Sequence, residues 1–488
     1  MRAQLIGFAP DLDPETPGIL TDCNAIIPTT TGLSAANSLV TTSYPALSSP
    51  ANSAFIAELL DGTRRVFVAN GPRIDEASAG SWVDRSRSGG YTGSARVRFA
   101  VFGNNVLACN RSEVIGQSVP GSGFTDIADS PEASIIVTAA GFVMALNVSQ
   151  SQYGDAPDGW HCSGIRNQAV WTASAASQCA YGRLLDSPGA IKAGAALGSD
   201  VVAYKDNSMY LGRYVGPPLV WQWDRVPGDI GCSGNESVVV VGTQHFFVGP
   251  SDFYVYDGTV PRPLGGATFN ASATPVREWF FANLNQQYRE RIVGVADIPR
   301  DLIYWYYPST ASSGELDSCL VYNFRTNQYG KQAIGIETAL LYSSGQVTYD
   351  SLGSMYATYD DLPNIAYDSN FWLGDTMSPA VIQGQLLKTI TGEPGPSWLV
   401  TGDVGDLDSY VFANRVKPRF RTKPVSAQMT NFYREDLGDP RIQDATVQMQ
   451  KGRFDYRRES HWHSFRMEFP GRMAINGFSL AINGETAE

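Results

Sequence analysis

The chain has 488 residues, enough for about three average domains, although an all-β fold can run past two hundred residues as one unit. Charged residues are only 17% against a usual quarter, and 48 Asp and Glu outweigh 36 Lys and Arg to leave −12. That balance argues against a protein that wraps nucleic acid with its general surface. No window approaches 18 apolar residues, which excludes a transmembrane helix. The opening Met1 to Pro10 has no apolar run long enough for a signal peptide. Cys23, Cys109, Cys162, Cys179, Cys232 and Cys319 are too sparse for a disulfide scaffold and read as core thiols of a protein made in a reducing cytoplasm.

Residues 1–52 are low in charge and punctuated by Pro14, Pro17, Gly18, Pro28, Gly32, Pro45 and Pro50. Each proline removes a donor and restricts its neighbour, so no helix fits. Leu20, Ile26, Ile27 and Leu39 predict an extended N-terminal arm that packs along something larger.

From residue 53 to 335 short β-runs take over. Ala54–Leu60 ends at Asp61-Gly62 and is followed by Arg65–Ala69, which stops at Asn70-Gly71; both dipeptides are hairpin turns. Further pairs are Ala95–Phe102 with Val106–Cys109, Ser134–Val137 with Phe142–Leu146, and Asp200–Tyr204 with Ser208–Leu211. Leu219–Trp223 leads to Ser237–Val241. His245–Val248 then pairs with Phe253–Tyr256, and Leu302–Tyr307 with Ser318–Tyr322. One helix is predicted, Ser272 to Leu284, with Val276, Trp279, Phe280 and Leu284 on one face.

Hairpin centres about 35 to 65 residues apart suit a blade of four antiparallel strands, and radial closure protects the edges. The fold class is therefore all-β: a propeller body of about six irregular blades, with additional β-rich segments. A Greek-key assembly would read similarly. Residues 336–412 form an acidic inserted or tip segment, in which Asp350, Asp360, Asp361, Asp368, Asp375, Glu393, Asp403, Asp406 and Asp408 face a single Lys388. Residues 413–488 turn basic and read as final strands closing the sheet.

Chemistry is sparse along the chain. His461 and His463 straddle Trp462, so on a strand they point the same way, but no Cys or carboxylate pair completes a zinc shell. His161 and Cys162 are adjacent, where side chains diverge. Asp403, Asp406 and Asp408 could offer several oxygens to Ca²⁺ but lack EF-hand spacing, and a solvated loop is preferred. Asp297, Asp301 and Asp317 surround Tyr304–Tyr307, the place for a glycosidase pair over an aromatic floor, although strand aromatics are more often core. There is no phosphate loop, nucleophile elbow or dinucleotide fingerprint. The expectation is a non-enzymatic protein without metal or cofactor. Arg415, Lys417, Arg419, Arg421 and Lys423 put up to five positive charges on one side of a strand, an interface for phosphates or, preferably, for an acidic protein surface.

Residues 245–325 carry a denser string: His245–Gly249, Asp252–Gly258, Pro263-Leu264-Gly265, Val276–Phe281, Leu284-Asn285, Tyr288, Arg291-Ile292, Val295, Ile303–Ser309 and Leu320–Asn323. It resembles the tail hub, nozzle and head-completion proteins of short-tailed bacteriophages, which share a hairpin ending in Asp-Gly. His463–Glu468 and Gly477–Leu480 resemble their final strands. The resemblance implies a propeller body in a homo-hexameric ring below the portal and adaptor, with fibre, spike or needle proteins docked on it. It implies transient passage of double-stranded DNA, contact with the host envelope at ejection, assembly in the host cytoplasm and residence in the virion tail. No catalytic residues are implied. A conduit for a polyanion should not hold it, so Asp403, Asp406 and Asp408 are expected on the channel wall. The alternative is a carbohydrate-binding or polysaccharide-degrading tail protein.

Overall fold

The computed structural model describes residues 2–92, 95–265, 274–343 and 377–484. Among them, strands dominate, and the α-helix Arg277–Asn283 lies inside the stretch that apolar periodicity marks. The fold is an all-β propeller with additional β-rich sheets.

Five blades follow one another as four-stranded antiparallel sheets. The first comprises Ser53–Glu58, Arg64–Asn70, Arg73–Ser78 and Ser81–Asp84, and the second Arg98–Phe102, Asn105–Cys109, Gly116–Ser118 and Thr125–Asp126. The third runs from Glu132 to Arg183, the fourth from Ala193 to Arg225 and the fifth from Val239 to Pro263. The sixth, Val293–Asp297, Leu302–Tyr307, Leu316–Asn323 and Gln328–Ile336, continues into a ten-stranded sheet. A seventh sheet combines Thr338–Tyr342, Ser378–Gln383 and Leu386–Gly392 with Ser38–Thr41 from the N-terminal region as its outer strand. Neighbouring blades pack in chain order, and Thr338–Tyr342 packs back on Ser53–Glu58 to close the ring.

The closure explains why so many strands are unbroken apolar runs. A blade is covered on both faces, so both alternate sets of side chains must be apolar. Leu302, Tyr304 and Tyr306 pack toward the seventh blade with Ala339 and Val381, while Ile303, Trp305 and Tyr307 pack toward the fifth with Val248 and Phe253. Val201 and Ala203 likewise face the third blade, and Val202 and Tyr204 the fifth. The last seam joins Leu340, Ala380 and Ile382 to Val66 and Val68 of the first blade.

The termini build a second body on the sixth blade. The ten-stranded sheet goes on through Ile26–Thr29, Gly32–Ala35, Ala474–Gly484, Val411–Thr422 and Phe454–Ser460, and Arg2–Gln4 pairs with Ala474–Gly484. Facing it is a seven-stranded sheet of Gly7–Phe8, Ile19–Asn24, Ser397–Thr401, Trp462–Phe469, Gln428–Arg434 and Ile442–Gln448, with Val404–Gly405 on Trp462–Phe469. Leu20, Leu33, Leu399, Val416, Met429, Phe465 and Phe478 form the shared core, continuous with Trp305, Tyr307 and Tyr322 of the sixth blade. Residues 2–41 thus contribute strands to three sheets. Asp11 accepts the N–H groups of Glu278 and Trp279 at 2.6 and 2.9 Å, capping the helix from the far end of the sequence. The Lys331 ammonium sits 2.5 Å from Asp22 and faces the rings of Phe8, Trp279 and Trp398 at 5.6, 5.2 and 6.0 Å.

An ion-pair cluster bridges the propeller where its innermost strands begin. Arg98 of the second blade binds Glu236, at the entry to the fifth, at 2.8 Å, and donates to the Ser134 carbonyl of the third at 2.7 Å. Arg96 adds a 3.8 Å contact to Glu236 and donates to the Arg291 carbonyl ahead of the sixth blade. Burial alone would push the Glu236 carboxyl up, but Arg98 and Arg96 outweigh it and hold it below the usual range. Glu236→Gln should destabilise the protein by about 3–5 kcal/mol, because it strands two largely buried guanidinium groups. Urea unfolding at neutral pH checks this, and a loss below about 1 kcal/mol would show the cluster to be solvent-screened.

Candidate interaction surface

The basic strand Val411–Thr422 runs between Phe454–Ser460 and Ala474–Gly484. Its inward residues are Val411 and Ala413, then Val416 and Pro418, a change of phase made by the irregularity between Ala413 and Arg415. Pairing with Phe454–Ser460 ends at Val416, so Pro418 lies where the strand is paired on one side only, as a residue without an N–H requires. Arg415, Lys417, Arg419, Arg421 and Lys423 are all exposed, and the first four line the outward face of the strand. Arg2 extends the row, since Arg2 and Lys417 both lie opposite Ser479.

Among the described residues, Asp455 is the carboxylate that reaches this strip. It binds Arg415 at 2.8 Å and Arg453 at 3.0 Å, hydrogen bonds that hold its carboxyl below the usual range. Arg419 lies across the neighbouring strand to donate to the Ala3 carbonyl at 3.3 Å. Gly477 makes room for it, because a Cβ there would stand 2.2 Å from the guanidinium. Beside Arg419 opens a cavity of about 360 Å³, lined by Gln4, Thr30, Thr31, Gln328 and Asn476 among others. Like charges two residues apart stand about 7 Å from one another along a strand, a repulsion of roughly 0.6 kcal/mol per pair in water. The strip is therefore a surface with unmet charge.

The acidic residues divide. Asp403 is not a wall residue: its carboxylate is buried, 2.5 Å from Arg434 and 2.9 Å from Arg441. Asp406 and Asp408 are exposed on the loop that enters the basic strand, and Asp406 accepts the N–H groups of Asp408 and Ser409. Leu407 and Tyr410 are exposed beside them, at 66% and 46%. Asp350, Asp360, Asp361, Asp368 and Asp375 lie outside the described residues.

The other candidate chemistry disperses. His463 is buried and bonded through Nε2 to the Val411 carbonyl, whereas His461 contacts the Asp406 carbonyl and the Tyr410 ring, so the two do not share a site. Among the described residues no group of His, Cys, Asp or Glu is arranged to hold a metal. Leu302–Tyr307 is buried throughout, leaving no aromatic floor. Asp297 and Asp301 sit at the turn end of that hairpin, on Arg300 and Arg325, while Asp317 sits at the opposite end and accepts from Ser309. Six residues of strand, about 20 Å, separate them, beyond the reach of a glycosidase pair. Sequence spacing misses the contact of His161 with Cys179, whose sulfur lies 3.5 Å from Nε2. Burial pushes His161 down to about 4 and the Cys162 and Cys179 thiols up to about 12, so neither partner is ionised at neutral pH.

The resemblance-bearing string falls on one place. Gln244–Val248 and Phe253–Tyr256 are the middle strands of the fifth blade, closed by Asp257 and by Gly258 at φ +97°. Phe246, Phe253, Val276, Phe280, Leu284, Ile303, Trp305 and Tyr322 meet in the core between this blade, the sixth and the terminal sheets.

No protein-family model matches the chain, and no curated protein matches its sequence. A solved structure described as YCF48 bound to D1 peptide aligns with 75% of this chain and 98% of its own, at 8% identity and a TM-score of 0.35.

His161 generates a pH dependence of stability. Its folded pKa lies below the unfolded value of about 6.5, so its contribution is present above pH 6.5 and is lost as pH falls toward 4. The stability drop between about pH 7 and 4.5 should shrink by about 2 to 3 kcal/mol in His161→Gln, compared by denaturant midpoints. An equal drop in both proteins would contradict the assignment.

Proposed function

We propose that the chain is a structural virion protein of a short-tailed bacteriophage, one of six copies in a ring below the portal and adaptor. The ring would provide the channel for genome retention and ejection and a docking surface for fibre, spike or needle proteins. The supporting observation is that Phe246, Phe253, Val276, Phe280, Trp305 and Tyr322, from the stretch that resembles tail hub and nozzle proteins, contribute to the core joining the propeller to the terminal sheets. A second feature agrees with a conduit built from several copies. Arg96, Arg98 and Glu236 bridge the propeller's own axis, so a duplex would pass between copies and not through one. The net charge of −12 suits a wall that a polyanion slides past. Among the described residues, the sugar-active alternative has no geometric observation in its favour.

Electron cryomicroscopy of the particles containing this chain is expected to show six copies around the tail axis, between the connector and the distal tip. A chain that is monomeric in its particle, trimeric with a sugar-filled groove, or absent from virions would overturn the reading.

A further inference from the structure

The loop Asp406–Tyr410 and the strip Arg415–Lys423 are opposite in charge, adjacent in sequence and too far apart to satisfy each other. Arg419 is eight residues beyond Val411, about 26 Å along an extended strand, and Lys423 is farther still. The Debye length at physiological salt is about 8 Å, so the loop's carboxylates are screened from the far half of their own strip. Among the described residues, no carboxylate lies within ion-pair distance of Lys417, Arg421 or Lys423. The loop, for its part, presents two exposed carboxylates around a leucine that is 66% exposed, an anionic knob with an apolar tip.

We infer that the Asp406–Tyr410 knob of one copy docks on the Arg415–Lys423 strip of the next, a head-to-tail contact that repeats around a ring. This rests on the ring reading above and names the interface that makes it. Because the two patches differ, head-to-tail docking is heterologous and closes as a ring, whereas reciprocal docking of the same patches would stop at a two-fold dimer, an outcome that would overturn the ring contact. The cavity beside Arg419 offers a guanidinium, threonine hydroxyls and side-chain amides to an incoming carboxylate. Arg2, in the same row, adds one more cation. Charge complementarity of this kind sets register and speeds encounter more than it adds affinity.

The test is a pair of charge reversals on the full-length chain. Lys417→Glu with Arg421→Glu and Lys423→Glu reverses the strip, leaving three carboxylates against Arg415 and Arg419, and spares Arg419, which is tied to Ala3. Asp406→Asn with Asp408→Lys reverses the knob and keeps the side-chain acceptor that forms its turn. All five residues are exposed, so both variants should melt as the wild type does. By sedimentation velocity, wild-type assembly should weaken at least tenfold between about 50 and 500 mM salt. Each variant alone should assemble at least a hundredfold more weakly. Mixed in equal amounts they should recover to within tenfold of wild type, and because the two must alternate, native mass spectrometry should show only even-numbered rings.

Variants that assemble like the wild type, a mixture no better than its components, or a wild type still monomeric at about 100 µM in low salt would each overturn the proposal. A strip variant that assembles normally but loses affinity for a DNA duplex would also overturn it, by showing that the strip serves a polyanion. Virions carrying either variant separate the two readings. Intact six-copy rings there would refute this interface and leave the ring standing, whereas wild-type virions without a ring would refute the function itself.

Discussion

Every blade of this propeller must bury both of its faces. A sheet with apolar side chains on two sides is stable only between two neighbours, so a row of such sheets has no place to stop until its last member meets its first. Here the meeting is between Thr338–Tyr342 and Ser53–Glu58, and the outer strand of the closing blade, Ser38–Thr41, comes from the other end of the chain. The same N-terminal region supplies Ile26–Ala35 and Ile19–Asn24 to the two terminal sheets. Closing the ring and attaching the second body are therefore one structural act, and the Lys331–Asp22 contact with its three surrounding rings lies where they join.

This organisation also distributes the polar groups. Inside, charges appear in paired clusters: Glu236 with two arginines, Asp403 with two more, and Lys205 donating to the Leu184 and Ser187 carbonyls at 2.7 Å. Such groups hold blades and sheets in register, since removing one partner strands the other in a poor dielectric. The histidines follow the same pattern. His245 receives the Tyr204 hydroxyl at 2.7 Å and contacts the Ala196 carbonyl, joining the fourth and fifth blades as a neutral ring. Val411–Thr422, on the outward face of the terminal sheet, shows a row of cations with fewer such partners, and the loop before it shows exposed carboxylates.

The proposed role fits a molecule of this kind. A rigid closed ring of sheets gives a wall of fixed shape, and a terminal sandwich gives it a place to carry contacts that the propeller, busy burying its faces, has little surface to spare for. Asp297, Asp301 and Asp317, the carboxylates that a glycosidase reading would bring together, each answer to a different local partner.

Much of the local structure was decided by the sequence alone. Two apolar runs around Asp61-Gly62 or Asn104 can only return on themselves, and the alternation of Arg415, Lys417, Arg419 and Arg421 predicts a strand with a cationic face whatever packs beneath it. Apolar residues on both phases of Leu302–Tyr307 imply a strand covered on two sides. Which surfaces cover it was decided by tertiary structure, because strand pairing across hundreds of residues leaves no periodic trace in the chain. So the seventh blade, made from Ser38–Thr41 and Leu386–Gly392, lay hidden between an apparent arm and an apparent insertion. Asp403 looked like its neighbours Asp406 and Asp408, yet it is buried, because Arg434 and Arg441 converge on it from a distant strand and the turn that follows it. Charge and pattern are local properties of a sequence, while burial and partnership belong to the fold.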